Sequence, residues 1–253
     1  MTLREDAITD IETATGLMRT HLFSPAEEGR YPSIIFYSEI FQVTGPIRRL
    51  AAHLASHGFL VAVPEIFHEL EPPGKVLGYD TPGTERGNWC KVNKHLSAYD
   101  SDCDAVVRFL SAHPESNGRV GAIGVCIGGH LAFRAAMHPG VRAAACFYPT
   151  DIHKLDSHPR GLGLGMSDDS LDRVRLGAIH GELLLVWGRQ DPHIPLEGRR
   201  QIQAVLEESG VCYQWLEFNA AHAFLRDHGP RYNPVLARQT LGIAVDLLHR
   251  RLR

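Results

Sequence analysis

The stretch Ala122-Ile-Gly-Val-Cys-Ile-Gly-Gly129 places a cysteine in a short turn that is rich in glycine. The apolar run 119–124 before it predicts a buried strand, and residues 128–137 after it predict a helix. A sharp strand-to-helix turn needs glycine at its crowded positions, because a Cβ there would clash. Cys126 then lies at a helix N-terminus, which favours a thiolate. We therefore interpret Cys126 as a nucleophile and the N–H of Ile127 as an oxyanion donor; the alternative is a packed turn around a buried thiol.

Outward from this turn, strand-like runs alternate with amphipathic helical segments along most of the chain. We predict strands at 33–37, 59–63, 119–124, 143–148, 182–187 and 211–218, and helices at 46–57, 95–112, 128–137, 196–208 and 234–252. Such alternation is typical of an α/β protein with a mostly parallel central sheet and helices on both faces. Residues 8–23 predict an antiparallel hairpin at the edge of the sheet. Because no repeat or biased linker interrupts the pattern, we expect residues 1–253 to form a single domain.

Two segments depart from this alternation, residues 65–94 and residues 150–181. The first is rich in proline and glycine, and the second contains Gly161-Leu-Gly-Leu-Gly165. Both follow the carboxyl ends of predicted strands, where open α/β sheets bind ligands. We expect long loops that form pocket walls; surface insertions without a function are the alternative.

An acid and a histidine follow Cys126 in the chain order that a catalytic triad on such a sheet requires. Asp191 ends a Gly-x-x-Asp turn after the strand predicted at 182–187, and His222 follows the strand predicted at 211–218. His222 would take the thiol proton, and Asp191 would orient the imidazole and stabilise its cation. The alternative is a core histidine and a turn-forming aspartate that take no part in chemistry.

Other histidines carry weaker signals. His193 lies two residues after Asp191, and we interpret it as a surface or turn residue rather than a catalytic one. His53 and His57 have the i, i+4 spacing of a helical metal site, but no acidic or third ligand accompanies them. We therefore expect no metal ion and no organic cofactor.

Composition excludes several classes of partner. The 253 residues carry a net charge of −3, which gives no electrostatic basis for binding nucleic acid or a membrane surface. The chain shows no apolar run of the roughly 20 residues that span a bilayer, and its first residues are too polar for a signal peptide. Its five cysteines are odd in number, widely spread and without a CxxC pair. This pattern fits a reducing compartment and predicts a cytoplasmic protein.

Taken together, these motifs resemble the dienelactone hydrolase (carboxymethylenebutenolidase) family, whose members have the α/β-hydrolase fold. The likeness runs from about Tyr31 to the final helix. It depends on Ser38-Glu39-Ile40-Phe41, Gly124-Val-Cys126-Ile-Gly-Gly129, Gly188-x-x-Asp191 and His222-Ala-Phe-Leu-Arg226. The resemblance implies that Glu39 contacts the resting cysteine and controls its activation, and that the Ile40 N–H is the second oxyanion donor. A strand-end Glu39 that bonds only the backbone is the alternative.

The resemblance also implies how a substrate is bound. Arg226 corresponds to an arginine that binds the substrate carboxylate, a task that suits a permanently charged, bidentate guanidinium; a surface salt bridge is the alternative. Members that act on dienelactone have a second such arginine after the second strand. Arg86 lies in that region, but its surroundings, residues 84–89, do not match the family pattern.

We therefore expect a hydrolase that cleaves a small-molecule ester or lactone through a thioester on Cys126. The resemblance leaves the natural substrate open, and the residues leave the oligomeric state open. Two alternatives remain. One is a thioesterase or small-ester carboxylesterase with the same site, and the other is a non-catalytic binding module with the α/β-hydrolase fold.

Overall fold

The computed structural model describes residues 1–4, 6–153, 163–165 and 168–253. The strands are β1 (Ala7–Thr13), β2 (Gly16–Phe23), β3 (Tyr31–Tyr37), β4 (Leu60–Pro64), β5 (Ser116–Val125), β6 (Val141–Phe147), β7 (Glu182–Gly188) and β8 (Tyr213–Phe218). The helices are α1 (Gly45–Ser56), α2 (Thr81–Asn93), α3 (Leu96–Ala112), α4 (Ile127–Ala135), α5 (Ser170–Arg175), α6 (Leu196–Glu208) and α7 (Pro234–Leu252). These strands form one sheet in the order β1-β2-β4-β3-β5-β6-β7-β8.

Strand pairing is parallel from β4 across to β8 and antiparallel at the other edge. There, β1 and β2 form a hairpin, and β2 pairs antiparallel with β4. The predicted mostly parallel sheet and its edge hairpin are thus confirmed. Because parallel strands end at the same edge of a sheet, the residues that follow β3, β5, β7 and β8 are brought to one end of the molecule.

The sheet separates two hydrophobic cores. Ile34 and Ile35 are neighbours on β3 and both fully buried, yet they pack on opposite faces, as alternating side chains of a strand do. The Ile34 face packs against α1 and α7, for example through Ile47 and Leu248. The Ile35 face packs against the remaining helices, for example through Leu110 of α3. Burial on both faces explains why the central strands read as continuous apolar runs.

Residues 65–94 are not one long loop, as predicted, because α2 occupies their second half. The helix begins where the Asp80 side chain accepts a 2.8 Å hydrogen bond from the Gly83 N–H. A Cβ at Gly87 would lie only 2.6 Å from the carbonyl oxygen of Ile40. The loop prediction was wrong here because glycine serves close packing of a helix rather than a turn.

The second predicted loop, residues 150–181, contains the short helix α5. Residues 154–162 and 166–167 of this segment lie outside the described ranges, and with them the first two residues of the glycine-rich stretch. The guanidinium of Arg134, on α4, donates a 2.7 Å hydrogen bond to Asp169 and is itself buried. This ion pair fixes the start of α5 to the helix that follows the candidate nucleophile.

Two expectations from composition concern the fold as a whole. All five cysteines are free, so the described structure relies on its two cores rather than on disulfides. Within the described ranges, every helix is too short or too polar to span a bilayer.

Candidate active site

The turn between β5 and α4 holds Cys126 in a strained backbone conformation, with φ 61° and ψ −125°. A Cβ at Gly124 would lie 1.9 Å from the Gly128 oxygen, and a Cβ at Gly128 would lie 2.2 Å from the Tyr37 oxygen. Only glycine therefore fits at these two positions. A non-glycine residue with positive φ costs about 1–3 kcal/mol and persists where the surrounding structure enforces it. The turn presents a partly exposed thiol at the N-terminus of α4.

Two backbone N–H groups, those of Ile127 and Ile40, are the predicted oxyanion donors. Ile127 is the first residue of α4, so its N–H has no partner within the helix. Ile40 follows β3, and Gly87 of α2 packs directly against its carbonyl oxygen. Among the described residues, neither N–H donates to another backbone carbonyl. Both groups are thus available to an oxygen of a bound substrate.

His222 and Asp191 form a close hydrogen bond, 2.6 Å between Nδ1 and Oδ2. Both side chains are buried. Burial by itself lowers the pKa of His222, but the charge of Cys126 and the hydrogen bonds to Asp191 and Cys126 raise it to about 10. Asp191, which binds Nδ1 of the ring, and the charge of Cys126 thus both favour the protonated imidazole.

Two aromatic rings flank this imidazole. The ring centroid of Tyr148 lies 5.0 Å from that of His222, and the ring centroid of His193 lies 4.7 Å from it, both at steep angles. Tyr148 is fully buried and has a φ of 37°, so its backbone is also strained. The sequence gives no signal for Tyr148, because a tyrosine at a strand end is an ordinary core residue.

Glu39 is buried, and its side chain bonds other side chains. Its Oε2 accepts a 3.0 Å hydrogen bond from the Tyr79 hydroxyl, and its Oε1 lies 3.5 Å from Nη1 of Arg226. Burial raises the pKa of Glu39, although Arg226 and Tyr79 oppose the shift. The resemblance predicted a contact with the resting cysteine; the structure directs the carboxylate to Tyr79 and Arg226. Tyr79 was missed, since it lies 40 residues away along the chain.

The two predicted substrate-binding arginines lie in different settings. Arg226 is 11% exposed, and its guanidinium lies 4.3 Å from the centre of the Tyr79 ring. Arg86 is 42% exposed and forms an ion pair with Glu71. Within the described part of the chain, the structure joins Arg226 to a predicted site residue, Glu39, but gives Arg86 no such contact.

The fold and this constellation define an enzyme of the α/β-hydrolase class, with a nucleophile turn, an acid and a histidine at the strand ends. A model of the Dienelactone hydrolase family matches residues 18–252. The Saccharomyces cerevisiae protein named "Putative carboxymethylenebutenolidase" is 40% identical, over 96% of this chain and 91% of that protein. The chain therefore belongs to the dienelactone hydrolase family and is a carboxylic-ester hydrolase. The resemblance inferred from the motifs is confirmed.

More distant relatives agree. The "Carboxymethylenebutenolidase" of Pseudomonas sp. strain P51 is 25% identical over 93% of this chain and 91% of that protein. A Klebsiella pneumoniae structure named "Putative Dienelactone Hydrolase" superposes with a TM-score of 0.83, 21% identity, and coverage of 99% and 100%. An esterase from Pyrobaculum calidifontis gives a TM-score of 0.70 at 14% identity, covering 99% of this chain and 86% of that one. At these identities the structures support the fold alone.

Proposed function

We propose that Cys126, His222 and Asp191 hydrolyse an ester or lactone bond through a thioester intermediate. The observation that carries the proposal is the 2.6 Å hydrogen bond between Asp191 and His222, together with the strained turn that holds Cys126, whose charge raises the pKa of this histidine. A buried histidine with so high a pKa needs a negative partner, and a thiolate at a helix N-terminus is a suitable one.

In the first step, the Cys126 sulfur attacks the carbonyl carbon and a C–S bond forms. The N–H groups of Ile127 and Ile40 stabilise the negative oxygen of the tetrahedral intermediate. The C–O bond to the leaving group then breaks, and the leaving oxygen takes the proton from His222. This step leaves a thioester on the cysteine and a neutral imidazole.

In the second step, water replaces the sulfur. Neutral His222 accepts a proton from the attacking water, so that the new C–O bond forms to hydroxide-like oxygen. The C–S bond breaks, the carboxylic acid product leaves, and Cys126 returns to the thiolate beside the cationic imidazole. Asp191 holds the ring in one orientation throughout and stabilises its charge.

A small ester or lactone with a carboxylate of its own fits the charge of the site. In the structure, Arg226 is paired with the buried Glu39. Because a guanidinium has five N–H donors, a substrate carboxylate can share Arg226 with Glu39, and the ion pair gives it a defined orientation. The name of the Pseudomonas relative denotes a substrate of this kind. A role for Arg86 stays a prediction, since its guanidinium must first leave Glu71.

We also propose that the protein acts in the cytoplasm and that the whole chain forms one domain. Their support is the free state of all five cysteines and the one sheet that crosses the described residues.

The test compares wild type with Cys126→Ala on matched lactones, aryl esters and thioesters, each with and without a carboxylate. We expect wild type to hydrolyse a carboxylate-bearing ester or lactone fastest, and Cys126→Ala to fold but lose turnover. Mass spectrometry of acid-quenched wild type should show the acyl mass on the peptide that contains Cys126. Retained turnover in Cys126→Ala would exclude the cysteine mechanism, and a preference for thioesters would favour a thioesterase.

A further inference from the structure

A second histidine lies directly against the proposed triad. His193 donates its backbone N–H to Oδ1 of Asp191 at 2.9 Å, while Oδ2 of the same carboxylate binds His222. The two imidazole rings meet edge to face, with centroids 4.7 Å apart. One nitrogen of each histidine and one oxygen of Asp191 all lie within 4.8 Å of one another. Three potential metal ligands thus converge at one point.

The ligand set selects a class of cation. Two imidazoles and one carboxylate suit Zn²⁺ and similar transition metals, whereas Mg²⁺ and Ca²⁺ prefer oxygen ligands. Asp191 and His222 are buried and fixed by their hydrogen bond, but His193 is exposed on the turn that leads to α6. Its ring is therefore able to turn inward and close the site to Zn–N distances of about 2.0–2.1 Å. Water completes the tetrahedron.

We propose that Asp191, His193 and His222 bind Zn²⁺ or a similar divalent transition metal, and that this cation inhibits the hydrolase. The bound ion displaces the proton that His222 shares with Asp191, and this proton is released to solvent. A metal-bound His222 no longer passes protons between the leaving group, water and Cys126. Only the inhibition depends on the proposed function; binding of the ion does not.

Competition with the native hydrogen bond makes this an inhibitory site rather than that of a resident cofactor. The ion has to separate His222 from Asp191, two groups that lie 2.6 Å apart without it. A chelator therefore removes the ion and restores the hydrogen bond. His193 is the residue that distinguishes this site, because it is a metal ligand but has no part in the proposed reaction.

Binding is measured without any activity, by calorimetric titration of chelator-treated Cys126→Ala with ZnCl₂. This variant lacks the reactive thiol but keeps all three ligands. Its matched partner is the double variant Cys126→Ala with His193→Asn. Adventitious sites, such as the adjacent His53 and His57 rings, are present in both proteins and cancel.

We expect the double variant to lose one Zn²⁺ site or to bind at least about tenfold more weakly there, since a ligand has been removed. Equal stoichiometry and equal affinity in the two proteins would overturn the proposal. This result holds whether or not the chain hydrolyses an ester, so a failure of the proposed function is separable from a failure of the metal site.

Inhibition is measured on wild type and on His193→Asn with the best ester. We expect ZnCl₂ to inhibit wild type, chelator to restore it, and MgCl₂ to have no effect. His193→Asn should need at least about tenfold more ZnCl₂ for half inhibition. Equal sensitivity of the two proteins would place the inhibiting ion elsewhere, for example on the Cys126 sulfur, and would contradict the proposal.

Discussion

Arg226 and Arg86 each pair with a carboxylate of low exposure, but in two different settings. The Arg226 side chain is 11% exposed and lies against Glu39, which is 3% exposed. The Arg86 side chain is 42% exposed and lies against Glu71. Water competes for an exposed guanidinium, so such ion pairs contribute little to stability. Since both carboxylates are buried, the two ion pairs differ in the exposure of the arginine, and the proposed role of Arg226 in binding a negative charge depends on this difference.

The aromatic residues beside the two arginines also differ. Tyr79 lies under Arg226 and also donates its hydroxyl to Glu39, so one residue holds both members of the ion pair. Trp89 lies 4.4 Å from Arg86 and is itself 47% exposed. The first arrangement holds the guanidinium in place, as the proposed binding of a substrate carboxylate requires, whereas the second lies at the surface of α2.

The largest effect should come from Arg226→Gln. A hydrogen bond to a charged group contributes about 1.5–3 kcal/mol, so kcat/KM for a carboxylate-bearing ester should fall by roughly 10- to 150-fold. The uncharged ester of the same alcohol should change by less than about threefold, because it makes no ion pair. Steady-state kinetics on the two esters measure the difference. Equal losses on both would mean that Arg226 does not recognise the carboxylate.

The next effect concerns stability and its dependence on pH. Burial already raises the pKa of Glu39 above its usual 4.5, and Arg226 opposes this shift, so Arg226→Gln should raise the pKa further. A carboxyl group whose pKa is raised in the folded protein stabilises the fold at acid pH, where it is protonated. This stabilisation is lost as the pH rises through the folded-state pKa. The variant should thus resemble wild type in acid and lose about 1–3 kcal/mol near neutral pH. Urea unfolding of both proteins across this pH range measures the difference in their free energies of unfolding. A difference that shrinks as the pH rises would contradict the prediction.

Tyr79→Phe should have a smaller effect, because it removes the hydroxyl that bonds Glu39 and Thr44 but keeps the ring beneath Arg226. We expect a loss of about 1 kcal/mol in the free energy of unfolding. Trp89→Phe is the matched control, since it also keeps a ring beside an arginine. If the two variants were equally stable, the Tyr79 hydroxyl would have no structural role.

Arg86→Gln should have the smallest effect. In the described part of the chain Arg86 contacts no predicted site residue, so kcat/KM should stay at the wild-type value for both esters, whatever the loss of the Glu71 ion pair costs in stability. The same assays as for Arg226→Gln apply. A selective loss with the carboxylate-bearing ester would instead establish Arg86 as the second carboxylate binder that the family resemblance implied.

Features set by local spacing were predictable from the sequence. Gly124 dictates a turn because a Cβ there would meet the backbone of Gly128, and this constraint spans only four residues of the chain. The apolar runs of β3 to β7 predict buried parallel strands because helices cover both faces. Parallel strands also bring Asp191 and His222 to the end of the sheet where Cys126 lies, so chain order was enough to find them together.

Features set by contacts between distant segments were not predictable. The glycines of α2 indicated a loop, because sequence alone cannot reveal that Gly87 meets Ile40. The partners of Glu39 are Tyr79 and Arg226, which lie far apart along the chain. A resemblance names such residues, but only packing determines which of them touch. The same holds for His193, whose position against His222 depends on how two strand-end turns meet.

The positive φ at Cys126 bears on how sites of this kind diverge. Its backbone is held by Gly124 and Gly128, and sulfur takes no part in that restraint. Geometry and reactivity are therefore encoded separately: the glycines specify where the proposed nucleophile lies, and one side chain specifies its chemistry. The pKa of His222 depends on that side chain, because the Cys126 charge is the largest influence that raises it. During evolution the side chain at position 126 can thus change while the turn is kept, but each such change also alters the pKa of the histidine that transfers the proton.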